Sequence, residues 1–280
     1  MTTPLLGCDF SSSPSPKKQI VLATGSLKSG RVLLEGIERL ASLDAFSAWL
    51  NAHPHWTGAF DLPFGLPREL VQSLGWPQDW AACIHHYAGL SRDQIRAEFS
   101  AFCSARPVGG KFAHRATDVP ARSSPSMKWV NPPVAFMLHA GVPRLLAAGA
   151  QLPGLSRGFE QSDGVPTRVA LEGYPALLAR EFVAARSYKS DTAAKQTPER
   201  LIARMDIVHG LEIGATRLGL RIKLSHAQRD ALVQDPSGDA LDAVLCLVQA
   251  AWAQQRFDAG DPRYSLPATM DPLEGWILTA

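Results

Sequence analysis

Five acidic residues stand where an apolar stretch ends or a helix begins, and carboxylates in such places can do acid–base or metal chemistry. Asp9 lies in GCDFSS, Asp61 in AFDLPFGLP and Glu172 in ALEGYP, while Asp239 and Asp242 lie three apart in GDALDAV. The last two share one face if their segment is helical. An unpaired buried carboxylate costs several kcal/mol, so each needs a partner. No lysine or arginine falls within the apolar segments LLGCDF and TGAFDL, which favours a cation brought to Asp9 and Asp61. Converging carboxylates repel and raise one another's pKa unless Mg²⁺ or Mn²⁺ compensates, and oxygen ligands suit such hard ions. The plain alternative is a cap on a neighbouring turn or helix. It weighs most for Asp239, then Glu172, and least for Asp9 and Asp61, which interrupt or end runs expected to be buried.

The elements that must position these acids read as follows. LLGCDF (5–10), QIVLATGSL (19–27), RVLLEGIERL (31–40), TGAFDL (57–62) and TRVALEG (167–173) fit strands, the first three as a meander. Leu43, Phe46, Trp49 and Leu50 have helical spacing. PRELVQSLGW, PQDWAACIHHYAGL and SRDQIRAEFSAFCSA read as short helices, the last with Ser91 as N-cap. A long loop-like stretch (107–126) precedes further helical text in NPPVAFMLHAGVPRLLAAGA. YPALLAREFV and TPERLIARMDIVHGL are helical, with Thr197 as N-cap and Pro198 at the first position of the second. DALDAVLCLVQAAWAQQ (239–255) is the strongest helix, with acids in its first turn. The order implies an α/β fold with a mixed sheet and helices on its faces. Residues 1–280 form a single domain, with 67–165 as a helical insertion between strands 4 and 5.

The chain has 280 residues, 46% hydrophobic and 19% charged, enough to bury a large core. The net charge of +2 excludes a uniformly basic nucleic-acid binder. Counting Lys and Arg against Asp and Glu, residues 1–66 are neutral, 67–165 carry +3, 166–229 carry +5 and 230–280 carry −6. No apolar run is long enough to span a bilayer, and MTTPLLGCDF lacks the basic start of a signal peptide. Cys8, Cys83, Cys103 and Cys246 are scattered without a C-x-x-C pair. A reduced, cytoplasmic protein without membrane contact is expected.

The strand order and acid positions are similar to those of the ribonuclease-H-like fold used by polynucleotide nucleases and Holliday-junction resolvases. There, one acid lies in the first strand, one at the end of the fourth, and a pair three apart opens a C-terminal helix. More closely, the chain resembles the bacterial domain-of-unknown-function family 429, described as ribonuclease-H-like nucleases. The resemblance rests on GCDFSS, FDLPFGLPREL, HRATD, NPPVAFMLHAG, LEGYP, SYKSD, GDALDAVLCLVQAAWA and EGWI, from residue 7 to 277. It implies a five-stranded mixed sheet in order 3-2-1-4-5 with strand 2 antiparallel. It also implies metal-dependent phosphodiester hydrolysis with two Mg²⁺ or Mn²⁺ ions about 3.5–4 Å apart. Asp9 would bridge the ions, Asp61, Asp239 and Asp242 would each hold one side, and Glu172 would orient a ligand or water. Nucleic acid is the partner so implied, and a homodimer is left open.

Other residues have the chemistry for binding roles. In HRATD, His114 could serve as an acid or base and Arg115 as a phosphate clamp, unless Arg115 pairs with Asp118 to pin the loop. Lys189 in SYKSD could contact phosphate or lie on a plain surface. Arg200 and Arg204, one turn apart, suit a backbone contact or a solvated face. His85–His86 and the tryptophans Trp76, Trp80 and Trp129 read more readily as core or surface than as a metal site or base-stacking platform. No phosphate-loop glycine pattern and no G-x-S-x-G elbow occurs. Two competing functions stay open: a metal-dependent phosphohydrolase of a small substrate, and a catalytically silent nucleic-acid or protein-binding module.

Overall fold

A computed structural model describes residues 3–160, 162 and 164–280. β1 (Leu5–Asp9), β2 (Ile20–Lys28) and β3 (Arg31–Leu40) form the meander, and α1 (Leu43–Ala52) leads to β4 (Trp56–Asp61). Five helices follow before the next long strand: α2 (Arg68–Ser73), α3 (Trp80–Gly89), α4 (Arg92–Ser104), α5 (Asp118–Ala121) and α6 (Val134–Ala147). Then come β5 (Arg168–Glu172), α7 (Pro175–Val183), α8 (Pro198–Ile213), β6 (Arg221–Lys223), α9 (His226–Gln234) and α10 (Asp239–Asp258). Ser91 caps α4 in a full capping box with Gln94. Thr197 sits at the α8 N-cap, but its side chain makes no capping bond.

The sheet runs β5-β4-β1-β2-β3-β6. β2 is antiparallel to β1 and β3, whereas β1–β4, β4–β5 and β3–β6 are parallel. The expected five strands therefore become six. The added strand, β6, is three residues long and exposed–buried–exposed; RIK is too short and too polar to carry a strand signal in sequence. One apolar core lies between the sheet and the helices α1, α3, α4 and α6. A second lies on the opposite face, under α7, α8 and α10. Among the described residues no helix is long and apolar enough to cross a membrane.

One close approach sets the geometry at the sheet's centre. Side chains alternate along β1, so Leu6 and Cys8 enter the first core while Leu5, Gly7 and Asp9 face α10. A Cβ on Gly7 would lie 2.0 Å from the Ala243 carbonyl oxygen and 2.2 Å from the Leu247 nitrogen. The helix backbone therefore rests directly on the strand backbone. Gly7→Ala is expected to lower stability by about 3 kcal/mol, because backbone must shift to admit one methyl. Gly89→Ala, with nothing within 4 Å of the added carbon, should leave stability level or raise it by a few tenths of a kcal/mol. Urea-denaturation midpoints of the two variants check this.

Candidate active site

Asp9 and Asp61 end neighbouring parallel strands and stand opposite each other in register. Alternation along β4 puts Phe60 in the first core, while Thr57, Ala59 and Asp61 face α10; Thr57 bonds to Gln254 of that helix at 2.6 Å. The two carboxylates thus share one face at the C-terminal edge of the strands. The Gly7 contact brings the first turns of α10 over the same edge, with Asp242 fully buried there. Burial, then repulsion from Asp242, Asp239 and Asp61, holds the Asp9 carboxyl well above its usual range against the pull of Lys189. Burial and Asp242 push Asp61 up to about 7. Among the described residues, no hydrogen-bond donor reaches either carboxylate.

The pair on α10 is held differently. The Tyr188 hydroxyl donates to Asp242 Oδ1 at 2.6 Å, and the Lys189 ammonium donates to Asp242 Oδ2. Burial opposes the Lys189 charge, but Asp242, Tyr188 and Asp9 outweigh it and keep the ammonium protonated well beyond its ordinary range. Asp239 is 4% exposed and accepts from Lys18 Nζ at 2.7 Å, which also pairs with Asp191 at 3.3 Å. Arg204 is neither a solvated residue nor an exposed backbone contact. It is buried and donates to the carbonyls of Tyr188 (2.8 Å) and Val233 (2.7 Å), fixing the strand of chain that carries Lys189. Gly238 opens α10 at φ 72°, and a Cβ there would lie 2.8 Å from that of Lys189. The helix start therefore needs glycine both for its left-handed turn and for the lysine packed against it.

Asp61, Asp242, Tyr188 and Lys189 form one wall of a cleft of about 230 Å³; Arg115 and Glu172 lie on the other. Glu172 stands in register with Phe60, one position out of phase with Asp61, and so projects to the opposite sheet face. There Arg115 Nη1 and Nη2 donate to its two oxygens at 2.8 and 2.6 Å, and the Phe64 amide donates to Oε2 at 2.9 Å. Arg115 is 2% exposed. Its remaining N–H groups go to Asp118 Oδ1 (3.2 and 2.9 Å) and to the Glu274 carbonyl (3.1 Å). All five donors are spent inside the protein, so Arg115 pins the loop through Asp118 and has none left to clamp a phosphate. His114 is exposed and does not line the cleft.

Two residues essential to this arrangement escaped the sequence reading. Lys18 lies in SSSPSPKK, a turn whose backbone closes between Ser15 and Lys18, and no local pattern ties it to Asp239, 221 positions away. Glu274, in EGWI, accepts from the Arg68 and Ala116 amides at 2.8 Å each and seats the C-terminal segment against the loop.

As metal ligands the acids divide. Asp9, buried, and Asp61, half-buried beside it, have no donors and suit an oxygen-coordinated divalent cation. Asp242 is free to join them only when Lys189 moves off it, and Asp239 only when Lys18 does. With the lysines in place, no group of three or more His, Cys, Asp or Glu among the described residues converges as a ready metal site. Comparison with protein-family models, curated proteins and solved structures finds no match, so the likeness to family 429 rests on the quoted motifs and the α/β sheet.

Two outcomes follow. The folded chain holds a proton on Asp61 that the unfolded chain has released, so this group's contribution to stability falls as pH rises from 3.8 to about 7. In metal-free buffer, Asp61→Asn should therefore gain on the wild type between about pH 4 and pH 7, by roughly 1–2 kcal/mol given the open side of the cleft. Denaturation midpoints across that range check it. Arg115→Met should cost about 3–5 kcal/mol, because it strands Glu172 and Asp118 as buried charges, and its thermal midpoint reports the loss.

Proposed function

We propose that this chain is a metal-dependent, nuclease-like phosphodiester hydrolase on a ribonuclease-H-like fold. The observation that carries the reading is the Asp9–Asp61 pair: two donor-free carboxylates in register at the ends of parallel strands, facing the start of a helix that supplies a third. The strand order 3-2-1-4-5, extended by β6, supports it.

Asp9, Asp61 and Asp242 would hold Mg²⁺ or Mn²⁺, with Asp239 beside them, the resemblance implying two ions. Such ions, when bound, activate water and neutralise charge on a phosphate. The chain's own residues do the rest. Tyr188 orients Asp242. Lys189, with its side chain 40% exposed at the cleft and held protonated, is placed on Asp242 where it could serve a phosphoryl oxygen if it left that acid. Arg115 and Glu172 neutralise each other and give the far wall a fixed shape.

The cleft's volume, about 230 Å³, is below the roughly 300–1,000 Å³ of ordinary ligand pockets, which taken alone would admit only a small phosphorylated substrate, and a hydrolase of such a substrate is the second reading. A cleavage screen with Mg²⁺ and Mn²⁺ on single-stranded, duplex, hybrid and branched nucleic acids separates the two. Cleavage is expected, and Asp9→Asn should lower it about a thousandfold, the loss of several kcal/mol of charge stabilisation. Cleavage undiminished in Asp9→Asn would sink the assignment. A rise in melting temperature with Mn²⁺ but no cleaved polymer would favour the small substrate.

A further inference from the structure

The cleft does not end at the acids. A groove of about 630 Å³ shares Pro132 and Met137 with it, and a further groove of about 560 Å³ shares Lys18 and Asp191 with that one. The chain of hollows runs from Asp61 and Asp242, past the Ser11–Ser13 turn that follows Asp9, to Asp239.

The middle groove has the chemistry of a phosphate track. Arg92 and Arg96 lie one turn apart on α4, and both guanidinium groups sit over the same Phe136 ring, at 4.9 and 5.3 Å from its centre. Two like charges on one ring repel each other unless an anion lies between them. Two acids lie near them: Asp93, paired to Arg96 and 89% exposed in its side chain, and Asp191, which lines the groove and pairs with Lys18 at 3.3 Å; among the described residues Arg92 has no carboxylate partner. Arg92 instead donates to Ser13 Oγ at 2.8 Å and the Ser12 carbonyl at 2.6 Å, neutral acceptors that a phosphate outcompetes. Lys18, half-exposed and shared between Asp239 and Asp191, adds a third charge that a phosphate would have to draw off those acids; beyond it the groove is lined by Lys17, by Arg39, which is paired with Asp235, and by Asp191 and Asp239. Trp129, half-buried and fixed by edge contacts to Phe99 (6.4 Å) and Phe112 (5.8 Å), lines the same hollow.

The geometry points to a single-stranded polynucleotide as the occupant of this groove, its backbone on Arg92, Arg96 and Lys18 and a base against Trp129, leading one strand to the acids. The inference rests on the hydrolase reading for its chemistry and names the substrate class. A charged track beside an aromatic suits unpaired bases, which offer a free π-face. A duplex offers such a groove mainly its phosphates. The helical insertion, which supplies Arg92, Arg96 and Trp129, is then the wall that converts a small acid-lined cleft into a polymer site.

The test is fluorescence anisotropy with labelled oligo(dT) and oligo(U) of roughly 16 nucleotides, and the matching duplex, in EDTA, so that binding is read without hydrolysis. Single strands should bind better than duplex. Arg92→Ala/Arg96→Ala should weaken them about tenfold and flatten the plot of log affinity against log salt by about 1.4, two single-strand phosphate contacts. Trp129→Leu should weaken binding by about fivefold or more without changing that slope. Arg186→Ala, a surface arginine paired with Asp206 and lining none of the three hollows, should change nothing, and thermal melts confirm that each variant is folded. Preference for duplex, no binding of either strand, or binding indifferent to the Arg92/Arg96 pair would each overturn the inference. Binding that depends on the pair in a protein that cleaves nothing would uphold the groove and sink the hydrolase reading. Cleavage lost in Asp9→Asn with binding indifferent to the pair would do the reverse. The oligo(dT) and oligo(U) arms decide which sugar the groove prefers.

Discussion

At Gly7 the sheet and its longest helix meet backbone to backbone, and the site depends on that contact. With no side chain between them, the first turns of α10 lie over the C-terminal edge of β1, and Asp242 is carried in beside Asp9 and Asp61. Burial is the leading cause of the raised pKa of both strand carboxylates. Asparagine or an apolar residue at positions 9 and 61 would remove the repulsion at no evident cost to the sheet. Acids there are a stability burden, and a burden placed at the mouth of a cleft is what a chemical site looks like.

The charge is balanced from a distance in sequence. Lys189 comes from the segment after α7 and Lys18 from the turn after β1, and each settles on one acid of the α10 pair. The strand pair, Asp9 and Asp61, is left without such a partner. The four acids are therefore two kinds: two that accept directly from lysines, and two that feel Lys189 only at a distance, too weakly to offset burial and mutual repulsion.

Much of this was legible in the sequence, and the exceptions have physical causes. The five longer strands are apolar runs stopped by Pro, Gly or charge, and alternation or turn chemistry marks their ends. Asp9 and Asp61 stood out because each breaks such a run. Lys18 and Glu274 did not, since pairing across 221 or 158 residues leaves no local pattern. Glu172 is a different case. Its distance from the aspartates was available by counting alternate positions along TRVALEG, where Val169 and Leu171 fall on one face and Glu172 on the other. The cue was parity, and position at a strand end concealed it. Arg115 offered both of its readings from the start, and burial selects the pin, because a guanidinium 2% exposed must satisfy every N–H within the fold.

That pin has a consequence for the insertion. Arg115 and Asp118 join the loop after α4 to Glu172 on β5, while the Glu274 carboxylate ties the same loop and the start of α2 to the C-terminal segment. The insertion is thus bolted to the sheet edge at the end of β5, beside the acids. α4, with Arg92 and Arg96, is further tied to the turn after β1 through Ser12 and Ser13, three and four residues beyond Asp9. The distance between basic wall and acidic edge is set by buried ion pairs rather than by a flexible linker. A net charge of +2 therefore says little about a polyanionic partner. Arg92 and Arg96 of the insertion and Asp239 and Asp242 of α10 line one connected set of hollows, and the local charge there, not the total, is what a partner meets.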